Sequence, residues 1–101
     1  MAAAVLLSHL RRLTVPQIEE LLARDHVVRR AQQYFNEGRV EQLWVDGDAV
    51  RAHVSGSSST SYHGVVRLHQ GQLEPECSCP YTRGMCWHVG AMLLSIAGDE
   101  S

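Results

Sequence analysis

The chain has 101 residues, with nine Arg, no Lys, eleven Asp and Glu, and a net charge of −2 with His neutral. That balance excludes a general polyanion binder, and the length suits one domain burying about 65% of its unfolded surface. Hydrophobic residues at 45% are ordinary for a soluble fold, but one Phe and two Trp make a thin aromatic core that a metal staple would support.

Met1 to Leu7 is apolar but short, and its basic residues, Arg11 and Arg12, follow the apolar run. This is the reverse of a secretory signal. No stretch approaches the ~20 apolar residues that span a bilayer, so no membrane association is expected. Leu6, Leu10 and Leu13 recur at helical spacing, and residues 1–13 are expected as a flexible or helical N-terminal arm. Residues 14–101 are expected as a single domain of α+β class: N-terminal helices over 16–37, a small antiparallel β-sheet over 39–78, and a cysteine-bearing knuckle closed by a C-terminal helix over 77–97.

Thr14 followed by Gln17 is a capping-box pattern, and Pro16 suits a first turn. Ile18, Leu21 and Leu22 give one apolar stripe of a short helix ending near Arg24. Asp25 is placed to cap a second helix. Its buried face would carry Val27, Val28, Ala31, Tyr34 and Phe35, and Gly38 would end it.

The next segment is β. Val40 to Val45 is rich in strand formers, Asp46-Gly47 is a strong hairpin signal, and Ala49 to Val54 returns. Val50, Ala52 and Val54 share one face; Arg51 and His53 share the other. Val40 and Leu43 have opposite parity, which a bulge or two-sided burial explains. Residues 55–61 read as a flexible serine-rich loop. Tyr62 to His69 alternates as a third strand, Gln70-Gly71-Gln72 turns the chain, and Pro75 gives the fourth strand an edge position. After the cysteines, Trp87 to Ala97 reads as the last helix, with Met92 and Ile96 on the His88 side.

All three cysteines fall within Cys77-Ser78-Cys79-Pro80-Tyr81-Thr82-Arg83-Gly84-Met85-Cys86-Trp87-His88. C-x-C, six residues, then C-x-H supplies three thiolates and an imidazole, the ligand set of a closed tetrahedral structural zinc site. A disulfide framework fits badly, because three cysteines cannot all pair and a C-x-C bridge is strained. A Cys–His nucleophile lacks an orienting third group, and on a helix Cys86 and His88 would point to different faces. Buried structural thiols are the remaining alternative, but Glu76, Ser78 and Pro80 do not resemble a core strand. The expected cofactor is one structural Zn²⁺ held by Cys77, Cys79, Cys86 and His88, with a formal −1 charge at the centre. His9 and His26 read as surface residues on helices, and His53, His63 and His69 as solvent-facing strand residues without a second metal.

This C-x-C…C-x-H pattern resembles the SWIM zinc-finger family. The resemblance extends upstream through Tyr34, Gly38 and Val40 (Y-x-x-x-G-x-V) and through Val54, Gly56 and Tyr62 (V-x-G…Y), covering about residues 29–97. The serine run at 57–59 and 61 departs from the shorter, more mixed turn usual in that family. SWIM modules sit beside helicase-like chromatin-remodelling ATPases, in mutator-type transposases and in signalling proteins with ubiquitin-ligase parts, and are regarded as DNA- or protein-binding accessories. The resemblance therefore implies a non-catalytic module that docks a protein partner, a helicase-like ATPase in cis or in trans. No G-x-x-x-x-G-K-[ST] is present, so such an ATPase would lie in another chain or further along the reading frame.

The alternative is a nucleic-acid-binding finger using Arg29, Arg30, Arg39, Arg51, Arg67 and Arg83. Local charge argues against it. Residues 24–51 hold five Arg and five acids, and residues 73–101 hold one Arg against Glu74, Glu76, Asp99 and Glu100. The finger is acidic even before the zinc centre adds its own charge, so protein docking is favoured. A thiol redox sensor is a third class, disfavoured because a closed zinc shell is structural. No small-molecule substrate is expected. Reduced, metal-bound cysteines point to a cytoplasmic, reducing compartment.

Overall fold

The chain builds α1 (Ala2–Arg11), α2 (Val15–Leu22), α3 (Asp25–Asn36), β1 (Val40–Asp46), β2 (Ala49–Ser55), β3 (Ser61–His69), β4 (Gln72–Cys77) and α4 (Trp87–Gly98). These come from a computed structural model, which describes residues 2–56, 60–70, 72–79 and 85–98. The serine run at 57–59, Gly71 of the expected turn, and residues 80–84 with Arg83 lie outside the described residues.

Local sequence explains most boundaries. Thr14 caps α2 with the full capping box, its hydroxyl accepting from Gln17 N–H while the Gln17 side chain receives the Thr14 N–H at 2.9 Å. The N-cap of α3 is Arg24 without a side-chain cap, and Asp25 is already the first helical residue, so the expected Asp25 cap is corrected. There Asp25 still complements the helix dipole. Val27, Ala31 and Tyr34 are buried, but Phe35 is 39% exposed and leaves the apolar face assigned to it. α3 packs chiefly on α4, and a helix–helix contact covers a narrower stripe than a sheet does.

The sheet is an antiparallel meander in the order β1-β2-β3-β4. Asp46 and Ala49 are paired, so the turn residues are Gly47 and Asp48, with Gly47 at φ +60° leading the hairpin. The β1–β2 register slips between Val40 and Gln42, which places a bulge at the point where the apolar alternation fails. Pro75 lies in β4, an edge strand. Val50, Ala52, Val54 and Val66 are fully buried on the inner face.

α4 is the hub, touching every strand and the other three helices. It is therefore buried nearly all round, with Ala91, Met92 and Leu93 at 0% exposure. Leu6 and Leu10 of α1 are also fully buried, within a helix that packs on α4 and β2. Among the described residues no helix is long and apolar enough to cross a membrane.

Candidate metal centre

Cys77 is the last residue of β4 and lies opposite Gly64 of β3. The next residue is gripped twice: Ser78 N–H donates to the His63 carbonyl at 3.1 Å, and Ser78 Oγ accepts from His63 N–H at 3.0 Å. β3 thus holds the chain one residue past the strand and fixes both cysteines of the C-x-C pair. Gly64 matters because a Cβ there would lie 3.3 Å from Met92 Sδ, so its absence lets α4 settle against the strand that carries the pair.

The second pair sits at the start of α4. The Cys86 carbonyl accepts from Gly90 N–H at 3.0 Å, which makes Cys86 the N-cap, and its sulfur accepts from the Val89 N–H, as an N-cap side chain does. His88 follows in the first turn and is 2% exposed; Cys79 and Cys86 are buried and Cys77 is half-buried.

Three sulfurs and one ring nitrogen lie within 4.8 Å of one another, and His88 Nδ1 is 3.8 Å from Cys77 Sγ. Zinc bond lengths of about 2.0–2.3 Å imply tetrahedral edges of about 3.6–3.8 Å, so the group fits one zinc ion. None of the cysteines is in a disulfide. In the metal-free chain the Cys86 thiol is held low, at about 4, chiefly by the Cys77 S–H, with His88 and the Val89 N–H adding to the effect. Cys77 is pushed up, first by its hydrogen bond to Cys86 and then by burial. A bound Zn²⁺ would supply charge that keeps all three thiols ionised, without redox chemistry.

The surrounding shell is aromatic. With Nδ1 turned to the thiols, Nε2 of His88 is buried and has no hydrogen-bond partner among the described residues. Around the ring stand Tyr62 at 4.4 Å and Tyr34 at 5.4 Å between centroids. Gly56 makes room for Tyr62, since a Cβ there would fall 2.7 Å from its Cε2. Arg39 stacks over Tyr34 at 4.8 Å and donates to the Gly56 carbonyl at 2.7 Å. Gly56 stood out in the sequence only as a motif position, Tyr34 also as a buried helix-face residue and Tyr62 as the start of a strand; together they pack the histidine. Ser78 carried no sequence signal beyond lying between two cysteines.

The described arginines differ in what engages them. Arg29 and Arg30 are exposed on α3, with Arg30 over the Trp87 ring at 5.1 Å. Arg39 pairs with Glu37 at 2.6 Å, Arg51 with Asp46 at 2.7 Å, and Arg67 with Glu76 at 3.0 Å. Arg83 lies outside the described residues. On the outer sheet face Trp44, His53 and His63 cluster, with ring centroids 5.1–5.6 Å apart. Arg51 Nη1 stands 2.9 Å from His63 Nε2. Because guanidinium only donates, that nitrogen accepts and the ring proton is on Nδ1.

The family model of the SWIM zinc finger matches residues 53–97. The matched segment takes in β2 from His53, β3, β4, all four ligand side chains and α4 to Ala97; Tyr34, Gly38 and Val40 fall before it. No curated protein and no solved structure matches the chain at a significant level.

Proposed function

We propose that the SWIM zinc finger at residues 53–97, with the helices and strand that precede it, is a non-catalytic protein-interaction module. Its partner class is DNA-remodelling machinery with a helicase-like ATPase, in cis or in trans, as the family resemblance suggests. One observation carries the preference for protein: Arg39, Arg51 and Arg67 are each engaged by a carboxylate. A phosphate would have to displace Glu37, Asp46 and Glu76, and counterion release gains little from charges already neutralised. Exposed apolar side chains support docking, among them Leu43, Val45, Leu21 and Val15 at 39–48%. Four protein ligands would leave zinc no position for water, which supports a structural role and no metal catalysis. Thiols reserved for zinc fit a reducing, intracellular compartment.

Nucleic-acid binding is the second reading, supported by exposed Arg29 and Arg30 on α3. A salt titration of the zinc-loaded chain against duplex and single-stranded DNA separates the two. Docking predicts no binding in the micromolar range. Tight binding that weakens by about 0.9 log unit per phosphate contact per decade of salt on duplex would overturn it.

A further inference from the structure

β1 is an edge strand, and among the described residues no strand lies against its outer side. Edges of this kind are normally blunted by Lys, Pro, bulges or a cover. The chain has no Lys, β1 contains no Pro, and its bulge lies at its start, between Val40 and Gln42. That leaves Gln42 to Asp46 as an unbroken pairing block with Trp44 at its midpoint. Leu43 and Val45 lie opposite Ala52 and Val50 and so face inward, yet they are 39% and 46% exposed. They border a groove of about 540 Å³ whose far walls include Leu7 and Arg11 of α1 and Ser95 and Ile96 of α4.

We propose that this edge pairs with β1 of a second copy of the chain, antiparallel, about a two-fold axis through Trp44. Antiparallel partners share a sheet face, so only registers centred on a residue keep apolar with apolar. Centring on Trp44 sets Leu43 against Val45 of the second copy twice over, Trp44 against its own counterpart, and Gln42 against Asp46. No like charges meet, and Asp46 is already compensated by Arg51 at 2.7 Å. Centring on Leu43 would set the Glu41 carboxylate against Val45. Centring on Val45 would set Trp44 against Asp46 and Leu43 against the turn glycine, Gly47. The block is thus complementary to itself in one register, which is what an isologous two-fold contact requires.

The inference goes beyond the docking reading and does not rest on it. Sedimentation equilibrium of the zinc-loaded chain, from low micromolar to near-millimolar concentration, should show the mass rising from one to two chains of 11.2 kDa. Leu43→Lys and Val45→Lys, each at an exposed position, should abolish the rise while keeping zinc content and helical signal. In the wild-type chain the amides of residues 42–46 should gain hydrogen-exchange protection as concentration rises, and those of β4 should not. A single-chain mass throughout, a dimer indifferent to both substitutions, or a dimer without β1 protection would each sink the proposal. A monomer that ignores DNA would leave the docking reading standing, and a dimer with steeply salt-dependent DNA binding would remove that reading alone.

Discussion

Cys86 occupies the position where Ser or Asp usually caps a helix, and its sulfur takes the Val89 N–H as those oxygens would. A helix N-terminus and two neighbouring donors favour the anion, so in metal-free protein this thiol is ionised at neutral pH, held at about 4. Its lowered value contributes stability that is complete above the ordinary thiol value of 9.0 and lost as the pH falls through about 4. Cys77 works in the opposite direction: its raised value favours the fold while the thiol is protonated, below that same 9.0, and the benefit is withdrawn only in strongly alkaline solution. Zinc must displace a proton from every thiol still protonated. The three-thiol site should therefore release fewer than three protons per zinc at neutral pH, read by calorimetry in buffers of different ionisation heat. A full three would mean that Cys86 is not held as a thiolate.

Between α3 and α4 the close approach is set by Gly90. A Cβ there would lie 2.8 Å from Ala31 Cβ and 3.0 Å from both Leu22 Cδ atoms. Leu22 has rotamers to use; the Ala31 methyl has none. Helix propensity favours Ala over Gly by about 1 kcal/mol, whereas overpacking costs about 1–3 kcal/mol. Gly90→Ala should therefore be destabilising by up to about 2 kcal/mol, a fall in Tm of several degrees in a thermal melt, and an unchanged or raised Tm would show that the helices can part freely. This pair also marks where sequence reading stops. Signals carried within a few residues were legible: the Thr14–Gln17 capping box, the turn after Asp46, the bulge implied by Val40 against Leu43, and Pro75 on an edge. The C-x-C and C-x-H pairs were legible for the same reason. Features that need distant partners were not. Phe35 follows the helical stripe of α3 but misses the core because α4 covers only part of that face. The Arg67–Glu76 pair depends on how β3 and β4 lie side by side, and the packing of Tyr34 and Tyr62 on His88 depends on where the strands bring them.

For the whole molecule, the metal centre joins the end of β4 to the beginning of the helix on which everything else packs. Structural zinc contributes on the order of 10–16 kcal/mol in small peptides, against about 5–15 kcal/mol for the whole stability of a typical domain. Were α4 a peripheral helix, removing zinc would cost only the C-terminal third. As a hub, it supplies the buried surface for α3, α1 and the inner sheet face, so freeing its N-terminus loosens the partners of each. Val89, Met92, Leu93 and Ile96, all 2% exposed or less, would still favour α4 docking, but by themselves they must offset the entropy of ordering the chain between Cys77 and Cys86. Chelation should therefore remove α4 first and weaken the α1–α3 packing with it. The expected result is a loss of helical circular dichroism larger than α4 alone accounts for, with exchange protection falling in α3 as well as α4 and both restored by one equivalent of zinc. Apo protein that kept its full cooperative transition would show that packing alone holds the hub in place. Loss confined to α4 would show that the remaining helices have a core of their own.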